Sequence, residues 1–214
     1  MKLYLSSQKL GNHTEQLLKM CGDNKDVAVV VNALDDRPLA HRMDRAHQEI
    51  VSLQNIGLNP VELDLRDYFG HASELGDFLS TKSLVWIRGG STFILRRAMI
   101  ESGFDEVVVP MILDDQLIYG GYSAALLAAG PSLYGTELVD DASSLPVGYS
   151  SFPNPTAGLE LVDFFLIPHE GADTAWAKNI INHVNLLRSE NYHVITLTDG
   201  SVYIKNGKEE GVRR

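Results

Sequence analysis

Residues 117–130 pass from Leu117, Ile118 and Tyr119 through Gly120 and Gly121 to Ser123, and then into the small apolar run Ala124–Gly130. This is the order of a strand, a sharp turn and a helix with a serine at the turn. A serine nucleophile needs that arrangement, because a strained turn thrusts Oγ outward and small neighbours let strand and helix approach. The first helical N–H groups, Ala124 included, then lie free to receive a developing oxyanion. The same residues also describe a tight turn whose serine caps a helix, and Ala125 stands where the second glycine of G-x-S-x-G would be.

A serine hydroxyl attacks a carbonyl only when a base takes its proton, and the base needs an acceptor to orient it. Of the seven histidines, His13, His41, His47 and His71 fall in helical or loop segments and suit a solvated surface. His183 belongs to the face of an amphipathic helix, and His193 opens a strand. His169 differs, because it follows the apolar run Phe164–Pro168 directly and so stands at a strand's carboxyl end. Asp199 follows Val194–Thr198 in the same way, although an Asp-Gly turn explains it equally. Ser123, His169 and Asp199 thus each close a different strand.

A further strand, Leu84–Arg88, ends in Gly89 and Gly90 before Ser91, Thr92 and Phe93. Paired glycines let backbone N–H groups come close to a ligand, and a plain strand-to-helix turn uses them as well. The phosphate-loop pattern G-x-x-x-x-G-K-[ST] is missing from this segment. Arg88 is either a partner for a substrate carboxylate or a solvated charge at a strand end.

The elements that must carry these residues alternate. Strands are expected at Lys2–Ser6, Asp26–Asn32, Val61–Leu65, Leu84–Arg88, Leu117–Gly120, Val162–Pro168 and His193–Thr198. Helices are expected at His13–Cys21, Leu39–Leu58, Phe93–Ser102, Ala124–Ala129 and Thr174–Arg188, the second burying Met43, Ala46, Ile50, Leu53 and Ile56. Continuous apolar strands such as Val27–Val31 suit a parallel sheet covered on both faces. The expectation is an α/β fold with a doubly wound, mostly parallel sheet flanked by helices, formed as one domain over residues 1–214. The segment Gly130–Pro155 reads as a long connection with a short hairpin, Thr198–Ser201 as an Asp-Gly hairpin turn, and Lys205–Arg214 as a charged tail.

Composition narrows the function classes. A hydrophobic share of 44% supplies a core and excludes disorder, and the net charge of −10 gives no general attraction to nucleic acid or anionic membranes. Cys21, the single cysteine, forms no internal disulfide and no zinc site by itself. With no signal-peptide pattern and no membrane-length apolar run, a cytoplasmic protein is the expectation. No face stands out as an oligomer interface.

Taken in order, Arg88–Phe93, Gly121–Ala125, Ile167–His169 and Leu197–Ser201 resemble the motifs of the dipeptidase E (aspartyl dipeptidase) and cyanophycinase family of serine peptidases. The resemblance covers about residues 84 to 204. It implies a fold similar to class I glutamine amidotransferases, flavodoxin-like in its sheet. It implies Ser123 as nucleophile, His169 as general base and Asp199 as orienting acid, where dipeptidase E carries glutamate. Gly90 and Ala124 would form the oxyanion hole, Arg88 and Ser91 would border the substrate, and no metal or organic cofactor would be used. The implied substrate is a small peptide, with N-terminal aspartate as the family's habit. Ser91 replaces the family's usual asparagine, Ala125 a glycine, and Arg88 a small residue, which bears on substrate preference more than on the chemistry. An amidotransferase would need a cysteine at the elbow, where this chain has Ser123. A non-catalytic binding protein on the same scaffold is the other reading.

Overall fold

The computed structural model describes residues 1–150 and 153–214. Its strands are β1 (Lys2–Ser6), β2 (Asp26–Val30), β3 (Asn59–Glu62), β4 (Leu84–Ile87), β5 (Ile118–Tyr122), β6 (Phe165–Ile167), β7 (Val194–Thr196), β8 (Val202–Asn206) and β9 (Glu209–Arg213). Its helices are α1 (Thr14–Cys21), α2 (Leu39–Asn55), α3 (Ala72–Leu79), α4 (Thr92–Ser102), α5 (Phe104–Leu113), α6 (Ala124–Ala129) and α7 (Ala177–Ser189).

Seven strands form the main sheet in the order β3-β2-β4-β5-β1-β8-β9. The first five are parallel, and β8 and β9 extend the sheet in antiparallel fashion. The two-residue periodicity of strands assigns side chains to the two faces. Leu3, Leu5, Ala28, Val30, Val85 and Ile87 pack on one side with residues of α3 to α6, whereas Tyr4, Val27, Val29 and Trp86 pack on the other with α1 and α2. Both faces are therefore covered, as the apolar runs require. Strands β6 and β7 form a separate parallel pair, over which α7 packs through Ile180, Val184 and Leu187.

Several expectations change. The turn Thr198–Ser201 is tight, with the Ser201 N–H donating to the Thr198 carbonyl at 3.0 Å, yet it is not a hairpin. The strand before it pairs with β6 and the strand after it with β1 and β9. The charged tail instead folds as the β8–β9 hairpin around Gly207, and its charges suit an exposed sheet edge. Helices α3 and α5 depart from the expected elements. The latter carries Val107, Val108, Val109 and Pro110, types that favour strands or break helices, and its contact with α3 overrides that preference.

The buried face of α2 is Arg42, Ala46, Glu49 and Leu53, and Met43 is 59% exposed. Two charged residues displace the apolar stripe because each has buried partners. Arg42 reaches Asp35, Glu62 and Asp64 at 2.7, 2.7 and 3.0 Å, and Glu49 accepts from Tyr122 and Trp86. Strand β3 lies two to three residues earlier than the apolar run suggested, as an edge strand that tolerates Pro60.

The long connection is closed at its base by an isolated antiparallel bridge between Ser132 and Ala157, and its residues 151–152 lie outside the described part. No helix among the described residues is long and apolar enough to cross a membrane.

Candidate active site

Ser123 occupies φ 56° and ψ −104°, a conformation that costs a non-glycine residue about 1–3 kcal/mol. Packing on both sides holds it there. Gly121, at φ +154°, has no room for a side chain, since a Cβ would lie 2.4 Å from the Ile87 carbonyl oxygen and 2.7 Å from the Ala125 methyl. The bare face of Gly121 is thus what admits Ala125 in place of a glycine. The Ser123 N–H points back to the Ser6 carbonyl at 3.4 Å, tying the elbow to the end of β1.

His169 and Asp199 come from the separate β6–β7 pair. Ile167 is in register with Thr196, and the Leu197 N–H donates to the Ile167 carbonyl at 2.9 Å, so both chains leave the pair at the same end. His169 then turns into the left-handed region at φ 62°. Its Nε2 lies 3.1 Å from Ser123 Oγ and its Nδ1 lies 2.7 Å from Asp199 Oδ1. One neutral tautomer satisfies both contacts, with Nδ1–H donating to the carboxylate and Nε2 accepting from the hydroxyl. Trp176 meets the imidazole in a T-shaped contact, 4.9 Å between ring centroids.

The glycine pair after β4 answers to two different neighbours. A Cβ on Gly89 would sit 2.7 Å from Ser123 Cβ, and one on Gly90 would sit 2.4 Å from the Ala33 carbonyl oxygen. Ser91 caps α4, accepting from the Ile94 N–H at 3.4 Å, and its own N–H donates to Ala33 at 2.9 Å. Among the described residues, the N–H groups of Gly90 and Ala124 have no hydrogen-bond partner.

These residues border a cavity of about 440 Å³, lined by Gly90, Ser91, Ser123 and His169 together with Asp36, Arg37, Asp140, Asp141, Trp176 and His183. Asp140 Oδ2 accepts from the Thr92 N–H at 2.8 Å, and burial pushes its carboxyl above the usual range. His183 is 1% exposed, and its Nε2 donates to the Tyr134 carbonyl at 3.1 Å. Burial holds its pKa down, favouring the neutral ring.

Arg88 is placed away from this cavity. Its guanidinium lies 3.5 Å from Glu49 and 2.5 Å from its neighbour's carbonyl at Gly89, and among the described residues the arginine that lines the cavity is Arg37. The sequence pattern does not single out Arg37, Asp140, Trp176 or Ser7, whose hydroxyl contacts Asp199. Only Ser7 carried a usable signal, since it follows β1 at the same sheet edge. Cys21, the last residue of α1, is buried in the core, where burial raises its pKa, and does not line the cavity. Among the described residues, no group of three or more His, Cys, Asp or Glu side chains is arranged to hold a metal ion.

The profile of peptidase family S51 matches residues 4–210, nearly the whole chain. The chain belongs to peptidase family S51. A protein of Pasteurella multocida (strain Pm70), named an uncharacterized peptidase, is 26% identical over 108 residues. That alignment spans 50% of this chain and 48% of the relative, so about half of each is matched. A crystal structure from Listeria monocytogenes EGD-e, provisionally named a peptidase E protein, superposes with a TM-score of 0.78 at 20% identity, covering 100% of this chain and 98% of the other. A peptidase from an acI-B1 Actinobacterium gives a TM-score of 0.66 at 12% identity, covering 99% and 86%. At these identities the two structures speak for the fold, and the S51 chain shares its mostly parallel sheet flanked by helices with them.

Proposed function

We propose that this S51 chain is a serine peptidase that cleaves a short peptide through Ser123, His169 and Asp199, all within one α/β domain. Ser123 Oγ attacks the scissile carbonyl carbon while His169 Nε2 takes its proton, and the Gly90 and Ala124 amides receive the oxyanion. Asp199 holds Nδ1–H and stabilises the imidazolium. The imidazolium then protonates the departing amine, leaving an acyl ester on Ser123. Water, activated by the same imidazole, hydrolyses that ester and restores the serine. These groups and water complete the reaction without a cofactor.

The observation that carries this reading is the hydrogen-bonded line from Ser123 Oγ through the imidazole to Asp199, with contacts of 3.1 and 2.7 Å, opening onto the cavity. A volume of about 440 Å³ falls in the range of small-ligand clefts, roughly 300–1,000 Å³, which suits a di- or tripeptide better than a folded substrate. For a peptide beginning with aspartate, Arg37 is the arginine available to the side-chain carboxylate.

A fluorophosphonate probe tests the chemistry. Labelling of the wild type that is lost in Ser123→Ala is the expected result. A folded wild type that stays unlabelled and cleaves no short peptide would instead mark a binding protein on a peptidase scaffold.

A further inference from the structure

Ser7 is the first residue after β1 and is completely buried. Three polar groups converge on its hydroxyl. The His169 backbone N–H lies 2.8 Å away, Asp199 Oδ1 2.9 Å and the Leu197 carbonyl oxygen 3.1 Å. A serine hydroxyl has one proton to donate and two lone pairs to accept with. The His169 N–H can only donate, so Ser7 Oγ accepts from it. Its single proton then goes to one of two acceptors, and the ionised carboxylate is both the nearer and the stronger.

Asp199 Oδ1 therefore receives two donors, the imidazole Nδ1–H and Ser7. The Ser7 main chain is stitched to the same turn, its N–H donating to the Ser201 carbonyl at 3.0 Å. One side chain at the end of β1 thus touches the backbone of the base and the carboxylate of the acid, while the carbonyl of the preceding residue, Ser6, accepts from the Ser123 N–H.

We propose that Ser7 is a positioning residue of the peptidase site, its hydroxyl joining the β6–β7 pair to the main sheet so that His169 and Asp199 meet in register with Ser123. The proposal rests on the Ser123–His169–Asp199 reading. Two consequences follow from its geometry. The hydrogen bond to the His169 N–H helps to hold a residue with a left-handed backbone, which is otherwise strained. The bond to Asp199 draws off part of the carboxylate's negative charge. Without it, more of that charge faces the imidazole, which favours its protonated form in the variant relative to the wild type.

The experiment measures fluorophosphonate labelling rate against pH, with melting temperature, for wild type, Ser7→Ala, Ser7→Thr and Asp199→Asn. Ser7→Ala is expected to lower the neutral-pH rate roughly 10- to 100-fold. It should also move the acid limb of the rate profile, with its midpoint, to higher pH. The other titratable groups around the imidazole, Asp36, Arg37, Asp140, Asp141, His183 and the adjacent Glu170, are the same in every variant. Ser7→Thr keeps the hydroxyl and should restore the midpoint even if its extra methyl lowers the melting temperature. In the Asp199→Asn background, Ser7→Ala should add much less than it does alone. A folded Ser7→Ala with wild-type rate and midpoint overturns the proposal, as does a loss that is fully additive with Asp199→Asn. Should Ser7→Ala not fold, Ser7→Cys replaces the hydroxyl by a weak donor and acceptor, and the same shift or its absence decides. Failure of the underlying reading is seen separately, as a wild type that does not label or a Ser123→Ala variant that still does.

Discussion

Nδ1 of His169 and Oδ1 of Asp199 lie 2.7 Å apart although 30 residues separate them, because each leaves the same end of the β6–β7 pair. His169 and Asp199 are carried by one small parallel ladder and Ser123 by another sheet. The contact between His169 and Asp199 is thus fixed by strand register, and the contact with Ser123 by how the ladder docks. The aspartate, set in the Thr198–Ser201 turn, reaches the imidazole with its short side chain.

This arrangement gives different expectations for the three residues. Ser123→Ala and His169→Ala remove the proposed nucleophile and the proposed base, and kcat on a short peptide should fall to background in both. Asp199→Asn keeps the shape but offers an N–H to Nδ1, driving the imidazole proton to Nε2, where it faces Ser123 Oγ as a donor. A loss of roughly 10⁴-fold is expected, by analogy with the handicapped tautomer in other serine triads. Asp199→Asn with near wild-type kcat would assign the orienting role to another group.

Arg37 should act on substrate choice rather than on rate in general. It is the one lysine or arginine lining the cavity among the described residues, its side chain is 58% exposed, and Asp36 lies 3.3 Å from it. An exposed ion pair to a substrate carboxylate is worth up to about 1 kcal/mol, or roughly fivefold. Arg37→Ala should therefore lower kcat/KM for Asp-X dipeptides by about that factor and leave Ala-X dipeptides unchanged. Equal losses on both would remove Arg37 from recognition. Arg88→Ala, which breaks the contact with Glu49 away from the cavity, should not separate the two substrates.

The glycine loop is sterically committed. A Cβ at position 89 would lie 2.7 Å from Ser123 Cβ, closer than real Cβ contacts allow, so Gly89→Ala must displace the elbow or the loop. Overpacking of this kind costs about 1–3 kcal/mol. The melting temperature should drop, and probe labelling should drop with it even where the variant is fully folded. A folded Gly89→Ala that labels at the wild-type rate would show that the elbow has slack.

The strand ends were legible in the sequence because apolar runs closed by Ser123, His169, Asp199 and Gly90 need only short-range pattern. What long-range pairing decides was not. Thr198–Ser201 has the composition of a hairpin turn, and only the partnering of β7 with β6 and of β8 with β1 shows that its flanking strands diverge. The buried face of α2 departs from its apolar spacing for a related reason. Arg42 and Glu49 look like solvent residues until Asp35, Asp64, Tyr122 and Trp86 arrive from distant segments. Ser7 and Arg37 gain their places from the same long-range assembly.

The charge network behind the glycine loop predicts an acid-sensitive component of stability. Asp64 accepts from Asn32 Nδ2 at 2.9 Å, from Arg42 at 3.0 Å and from Arg66 through both side chain and backbone. Asn32 opens the turn whose Ala33 carbonyl holds Ser91, so the network braces the loop that carries Gly90. Burial works against the Asp64 carboxylate, but the Arg66 and Asn32 hydrogen bonds and the Arg42 charge outweigh it and bring its pKa from the usual 3.8 down to about 2. A carboxyl whose pKa is lowered by folding stabilises the native state above its unfolded pKa, and that stabilisation fades as pH falls through the folded value. The window is therefore from about pH 4 to about pH 2, and the shift corresponds to about 2 kcal/mol. Urea unfolding midpoints at pH 5, 3.5 and 2.5 should fall steeply for the wild type. Asp64→Asn should begin less stable at pH 5 and fall less over the same range. Parallel losses in the two proteins would show that Asp64 is not the group whose protonation loosens the brace.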